Sequence, residues 1–233
     1  MKRLLLLDLD GTVVDTLSYI IRCFQQAVEP YTTHIPTSAE IVATFGPAEH
    51  ECIRKVLQQH EQQGWLRQPY SESISQAAAQ QFHQLYAAGY SGGQVQCYPG
   101  IREVIQGGKQ QGGAIGIFTG KGRPSAWATL EHVQLLPAMD VIVTSDDVQE
   151  PKPAPEGVLL ACDKTGVAPR QALFVGDNPA DILAGRRAGV PTAAAMWGAV
   201  FPEETLAAQP DSVLADIPAL QSLLVAITQQ DRS

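Results

Sequence analysis

The sequence predicts an α/β protein: a core of parallel strands with helices on both faces, plus an inserted group of helices. Four leucines, Leu4–Leu7, run directly into acidic residues and a glycine, as a strand buried on both faces does. Residues 15–93 show helical patterns and no convincing strand. Beyond Tyr98 strand and helix patterns alternate, which is typical of a parallel sheet with right-handed crossovers.

The first predicted strand ends in Asp8, Leu9, Asp10, Gly11 and Thr12. Two carboxylates therefore gather at the carboxyl end of a strand, and the glycine allows a sharp turn just after them. In open α/β sheets this edge is where ligands bind. Buried carboxylates are costly unless they meet a cation or a hydrogen-bond donor. The pattern favours a functional site over a simple strand end.

The inserted helices follow at once. Asp15 and Thr16 are suited to cap the first of them. The predicted helices run from Leu17 to Ala27, Ser38 to Phe45, Ala48 to Gln63 and Ser71 to Ala88. They are separated by Pro36, Gly46-Pro47, Gly64 and Pro69. The glycine-rich stretch 89–93 predicts a flexible connection. We therefore expect a helical cap at 15–93 and a catalytic core at 1–14 and 94–233.

The core predictions alternate along the chain. Predicted strands are Ala114 to Phe118, Val141 to Thr144, Ala172 to Val175, Thr192 to Met196 and Val213 to Ala215. Predicted helices are Ile101 to Gln111, Pro124 to Leu135, Pro155 to Thr165, Pro179 to Ala188 and Ile217 to Ile227.

Polar residues follow three of these strands. Thr119 and Gly120 come after the second, and Asp177 and Asp181 follow the one that ends at Val175. Between them, Lys152 lies in a proline-rich loop that would hold its charge in place. Carboxylates suit a divalent cation, and Mg²⁺ prefers a few carboxylates together with phosphate oxygens. The set predicts a site for a phosphorylated ligand and a hard cation.

Composition narrows the function classes. The formal net charge of −8 argues against a general nucleic-acid-binding protein. The four cysteines are scattered without a C-x-x-C pair, which favours reduced thiols and a cytoplasmic protein. We find no apolar run long enough for a membrane span.

Taken in order and spacing, these motifs resemble the haloacid dehalogenase superfamily. They are Asp8-Leu-Asp10-Gly-Thr12, Thr119, Lys152-Pro and Gly176-Asp177 with Asp181. The resemblance implies a Rossmann-like core. The helical insert, Gly46-Pro47 and Tyr98-Pro-Gly100 resemble the phosphoglycolate phosphatase-like branch.

The resemblance also implies roles. Asp8 would be the nucleophile that forms an aspartyl-phosphate, and Asp10 the general acid and base. Thr119, Gly120 and Lys152 would bind the phosphoryl group. Asp8, Asp177 and Asp10, the last through its backbone carbonyl, would hold Mg²⁺, with Asp181 in support. Dehalogenases of the superfamily lack the second aspartate of the first motif, so Asp10 favours phosphoryl transfer. The implied substrate is a small, phosphoglycolate-like phosphomonoester.

Other functions stay open at this point. A phosphomutase of the same superfamily would keep every core motif. A phospho-accepting signalling module also combines acids, a threonine and a lysine, but there the acid pair precedes the phosphorylated aspartate. A binding protein on the same scaffold would not need the full set of catalytic residue types. The oligomeric state is not encoded in any motif found.

Overall fold

The structure is a computed structural model that describes residues 3–45 and 47–230. Residues 1, 2 and 231–233 of the expected core, and Gly46 of the Gly46-Pro47 pair, lie outside the described residues. Within them, the chain forms six strands: β1 (Leu4–Leu7), β2 (Ala114–Phe118), β3 (Val141–Val143), β4 (Ala172–Gly176), β5 (Thr192–Ala195) and β6 (Ser212–Leu214). All strand pairs are parallel, and the order across the sheet is β3-β2-β1-β4-β5-β6. The leucine strand is therefore central, as its apolar run predicts.

Ten α-helices accompany this sheet in the described part of the chain. The insert contains α1 (Leu17–Val28), α2 (Ser38–Val42), α3 (Glu49–Gln62) and α4 (Glu72–Ser91). The core contains α5 (Ile101–Gln110), α6 (Arg123–His132), α7 (Glu156–Thr165), α8 (Pro179–Arg187), α9 (Pro202–Ala207) and α10 (Ile217–Gln230). The fold class predicted from the sequence, a parallel α/β core with an inserted helical group, is confirmed.

Alternate residues of β1 face opposite sides of the sheet. Leu5 and Leu7 join the larger hydrophobic cluster, which includes residues of α5, α6 and α10. Leu4 and Leu6 join a second cluster with residues of α7 and α8. Helices thus cover both faces, and a period of two along one strand divides the core between them.

The inserted helices pack onto the core in this structure. Phe24 of α1 and Phe82 of α4 meet edge to face with 4.8 Å between ring centroids, and both belong to the same hydrophobic cluster as residues of β1 and β2. We call residues 15–93 the cap. Val14 precedes the cap and Cys97 follows it. Because Val14 pairs with both Cys97 and Asp10, the two connections of the cap lie beside the carboxyl end of β1.

Two local predictions differ from the structure. The stretch 89–93 was expected to be a flexible connection, yet α4 continues to Ser91. The reason is packing: a Cβ atom on Gly89 would lie 2.2 Å from the Tyr19 ring, so the glycine permits close approach of α1 and α4. Helix α9 was not predicted, because six residues with a proline at the first position show little apolar periodicity.

Candidate active site

Three buried carboxylates meet at the carboxyl ends of the central strands. Asp8 directly follows β1 and its backbone N–H donates to the Val175 carbonyl at 2.9 Å. Asp177 follows β4, and Asp181 lies in the first turn of α8. One oxygen from each of these three side chains lies within 4.8 Å of the others. Parallel pairing of β1 with β4 is what brings the two sequence-distant motifs together.

Lys152 joins this carboxylate cluster from the proline-rich loop. Its Nζ donates to Asp8 Oδ1 at 2.7 Å and to Asp181 Oδ1 at 2.6 Å, and it lies 3.4 Å from the Phe118 carbonyl oxygen. Only 8% of the lysine is exposed, so both ion pairs are shielded from water. Burial opposes the charged form of Lys152, but the two carboxylates outweigh it and raise the pKa of the ammonium.

Asp177 is held by residues of the first motif. Thr12 Oγ1 donates to Asp177 Oδ1 at 2.7 Å. Gly11 has a φ of +84°, and a Cβ atom there would lie 2.4 Å from Asp177 Oδ2. Glycine is therefore required at position 11 for two reasons: the positive φ of the backbone, and the lack of space for a side chain next to the Asp177 carboxylate. The glycine turn after Asp10 leaves room for the Asp177 carboxylate.

Asp10 has a different environment from Asp8, although only one residue separates them. Its Oδ1 accepts a hydrogen bond from Thr16 at 2.5 Å, and its Oδ2 lies 3.1 Å from Lys121 Nζ. Thr16 was expected to cap α1, but it makes no side-chain cap bond there. Its hydroxyl is instead used to orient the Asp10 carboxylate.

The remaining predicted residues line the same cavity. Thr119 and Gly120 border a space of about 100 Å³ together with Asp8, Asp10, Lys152, Asp177 and Asp181. Thr119 Oγ1 accepts from the Lys121 backbone N–H at 3.1 Å, which leaves its hydroxyl proton to donate. The structure thus brings every predicted site residue to one cavity.

The electrostatics of the carboxylate cluster favour a bound cation. Burial raises the pKa of Asp8 to about 7; Lys152 opposes this rise, while Asp181 adds to it. Burial, together with Asp8 and Asp181, also raises the pKa of Asp177 well above its ordinary value. Hard carboxylate oxygens at this spacing fit Mg²⁺, which would offset the repulsion among them.

Three contributors were missed by the motif analysis. Thr12 lies two residues after Asp10 and could have been assigned from its place in the motif. Lys121 follows Thr119 and Gly120 at a strand end, which was a usable signal. Glu49 reaches the site from the cap, and no local pattern in the sequence points to it.

A comparison with protein families identifies the class of protein to which this fold and site belong. Residues 5–195 match the model of the haloacid dehalogenase-like hydrolases. The chain belongs to this family.

Among similar proteins is pyrophosphatase PpaX from Bacillus cereus (strain AH820), which is 30% identical over 228 residues covering 98% of this chain and 97% of that protein. A crystal structure of a predicted phosphoglycolate phosphatase from Haemophilus somnus 129PT has a TM-score of 0.85 at 21% identity, covering 96% and 98% of the two chains. CbbY from Rhodobacter sphaeroides, solved in complex with phosphate, has a TM-score of 0.74 at 22% identity and covers 93% and 95%. At these identities the solved structures establish likeness of fold.

The helices of the described residues include none that is both long and apolar enough to cross a bilayer.

Proposed function

We propose that this phosphoric-ester hydrolase is a Mg²⁺-dependent phosphatase of a small phosphorylated metabolite, and that its reaction passes through an aspartyl-phosphate on Asp8. The main support is the position of Asp8, which borders the cavity with one carboxylate oxygen bonded to Lys152. Asp10 borders the same cavity but pairs with Lys121 instead. Two carboxylates in separate environments suit two separate roles.

In the first step Asp8 attacks phosphorus, and the bond from phosphorus to the leaving oxygen breaks. Lys152 offsets the charge of the phosphoryl oxygens, while Thr119 and Gly120 hold them. Asp10 donates a proton to the leaving oxygen. In the second step Asp10 takes a proton from water, the water oxygen bonds to phosphorus, and the bond to Asp8 breaks.

The carboxylates of Asp8 and Asp177 and the backbone carbonyl of Asp10 would hold Mg²⁺. When bound, the ion supplies positive charge next to the phosphoryl oxygens and orients them for in-line attack. Asp181 accepts hydrogen bonds from both Lys152 and the Asn178 backbone N–H, which suits a supporting role. It would keep Lys152 in place beside Asp8.

The cap at 15–93 would open to admit the substrate. Asp8 and Lys152 are only 7% and 8% exposed, so movement of the cap would widen the path to them. Binding should then reduce hydrogen exchange at the two connections, near residues 13–16 and 92–97. Equal exchange with and without saturating orthovanadate and Mg²⁺ would contradict cap closure.

The activity is tested by a screen of phosphorylated metabolites that measures released phosphate. We expect turnover with Mg²⁺, none in excess chelator, and none for Asp8→Asn. Asp163→Asn, an exposed aspartate on α7, is the matched control and should behave as wild type. Pyrophosphate belongs in the panel because a relative is named a pyrophosphatase.

The other functions give different results in the same screen. A phosphomutase would interconvert isomeric sugar phosphates and release little phosphate. A signalling module would take up phosphate from acetyl phosphate and keep it without turnover. Full activity in excess chelator, or in Asp8→Asn, would overturn the proposal.

A further inference from the structure

Within the described part of the chain, Glu49 of the cap has one carboxylate oxygen without a hydrogen bond. It is the first residue of α3, and its Oε2 accepts from the Gly122 backbone N–H at 3.2 Å. Its Oε1 is buried and has no hydrogen-bond partner among the residues that the structure describes. The nearest cation, Lys121 Nζ, is 4.0 Å away, which is too far for a hydrogen bond. A buried hydrogen-bond acceptor without a donor is energetically costly, so a ligand group that donates a hydrogen bond to Oε1 would remove that cost.

Lys121 has donor capacity to spare at the same place. Its ammonium carries three N–H groups. One is used by Asp10 Oδ2 at 3.1 Å, and the Tyr86 ring lies 4.1 Å from Nζ. The lysine is only 4% exposed, although it borders the cavity. Lys121 and Glu49 therefore present a donor and an acceptor across a short gap, beside the proposed general acid.

In the part of the chain that the structure describes, the cap side of the cavity offers no cation to an anionic group. Among the described residues that line it, Glu49 is the charged contribution of the cap, and the others are apolar or cysteine: Leu17, Ile20, Phe24, Val42, Phe45, Pro47 and Cys52. The basic residues of the cap lie elsewhere. Arg54 pairs with Glu51 and Glu72, while Lys55 and Arg67 are exposed. Lys121 faces two carboxylates, so the local charge is negative.

We propose that Glu49 and Lys121 bind a hydroxyl group of the leaving alcohol, and thereby select phosphomonoesters of di- or polyhydroxy compounds. A hydroxyl oxygen about 2.8 Å from each atom fits a 4.0 Å gap. It would accept a hydrogen bond from Lys121 and donate one to Glu49 Oε1. Because Lys121 also contacts Asp10, the hydroxyl would lie on the carbon next to the ester carbon.

This selectivity rests on the proposed phosphatase function and narrows the class of substrates that the enzyme would hydrolyse. A carboxylate or a fully ionised second phosphate can accept from Lys121 but has no proton for Glu49. It would also meet a carboxylate of like charge. The site therefore disfavours phosphoglycolate and pyrophosphate, the ligands suggested by the names of related proteins.

Three substrates of matched size test the selection. They are 2-hydroxyethyl phosphate, phosphoglycolate and ethyl phosphate, which carry a hydroxyl, a carboxylate and neither group. For wild type with Mg²⁺ we expect kcat/KM for 2-hydroxyethyl phosphate to exceed that for phosphoglycolate by about 100-fold. Glu49→Leu should lower the ratio of kcat/KM for 2-hydroxyethyl phosphate to kcat/KM for ethyl phosphate about 10- to 100-fold, as loss of a hydrogen bond to a charged group does.

Two variants separate charge from folding. Glu49→Gln keeps the shape and removes the repulsion, so the preference against phosphoglycolate should fall at least about 10-fold. Glu51→Gln, on the same helix but paired with Arg54, should keep the wild-type preference. The melting temperatures of the variants show whether each is folded.

A binding measurement keeps the test independent of turnover. Asp8→Asn with Mg²⁺, titrated with the same three compounds in a calorimeter, should bind 2-hydroxyethyl phosphate more tightly than phosphoglycolate. If no compound is hydrolysed but this order of affinity holds, the phosphatase function fails and the specificity stands. The specificity is overturned if ethyl phosphate is hydrolysed but Glu49→Leu leaves the ratio of kcat/KM for 2-hydroxyethyl phosphate to kcat/KM for ethyl phosphate unchanged. It is also overturned if wild type prefers phosphoglycolate or pyrophosphate to 2-hydroxyethyl phosphate.

Discussion

Replacing Lys152 by methionine removes one charge from the centre of the site and keeps the length of the side chain. The lost contacts are the hydrogen bonds to Asp8 and Asp181 and the approach to the Phe118 carbonyl. Breaking a buried ion pair by removing one partner costs about 3–5 kcal/mol of the free energy of unfolding. Typical domains have about 5–15 kcal/mol in total, so the metal-free variant should be visibly destabilised.

The loss in the free energy of unfolding should be larger at high pH than at low pH. Lys152 lowers the pKa of Asp8, so without it that pKa rises above its value of about 7. At pH 5.5 Asp8 is largely protonated with or without Lys152. At pH 8 wild type holds the ionised Asp8 beside the lysine, whereas the variant must either protonate Asp8 or leave its charge without a partner. Urea unfolding in chelator should therefore show a larger deficit for Lys152→Met at pH 8 than at pH 5.5. Lys164→Met, at an exposed lysine on α7, should show little change at either pH.

The same variant should lose activity. Removing one preorganised electrostatic group typically costs about 10²- to 10³-fold in rate, and we expect that loss in kcat/KM for any phosphomonoester. Steady-state phosphate release with saturating Mg²⁺ measures it. A value within about threefold of wild type, or an unfolding free energy equal to that of wild type at pH 8, would refute the assigned position and charge of Lys152.

Three further predictions follow from the same geometry. Because the pKa values of Asp8 and Asp177 are raised in the folded protein, the stability of the metal-free form should fall as pH rises from about 4 through 7, and Mg²⁺ should raise Tm more at pH 8 than at pH 5.5; an equal rise at both would contradict it. Asp10→Asn should lose about 10²- to 10⁴-fold with alkyl phosphates but less with nitrophenyl phosphate, whose leaving group needs little protonation; equal losses would remove Asp10 as the acid. Gly11→Ala should weaken Mg²⁺ binding by displacing Asp177, whereas Gly64→Ala, at a similar φ but with nothing within 4 Å, should not; similar affinities in titrations of the two variants would count against the close contact.

Much of the fold was predictable because the signals were local. Leu4–Leu7 is apolar on both faces, and it is the central strand. Carboxyl ends of parallel strands meet at one edge, so Asp8, Thr119 and Asp177 could be brought together by topology alone. The cluster of Asp8, Asp177 and Asp181 is where this reasoning placed it.

The parts that escaped prediction depend on contacts between distant segments. Thr16 looks like a helix cap, yet its hydroxyl serves Asp10. Gly89 looks like a hinge, but it is a contact point for Tyr19. Glu49 is an ordinary acidic residue in the first turn of a helix until the cap is placed over Gly122. No periodicity or motif carries such information, because it arises only from how the cap docks.

The central claim, that Asp8 is the residue phosphorylated during turnover, is tested most directly by trapping the intermediate. Wild type and Asp10→Asn, which should slow its hydrolysis, would be mixed with Mg²⁺ and substrate and quenched in acid. Treatment with borohydride reduces an acyl phosphate to an alcohol, and mass spectrometry of the peptides locates the change. The account predicts homoserine at position 8 in samples that received substrate and in no others. An unmodified Asp8 in a sample that contains phosphoenzyme at another residue, or reduction at Asp10 or Asp177 instead, would contradict it.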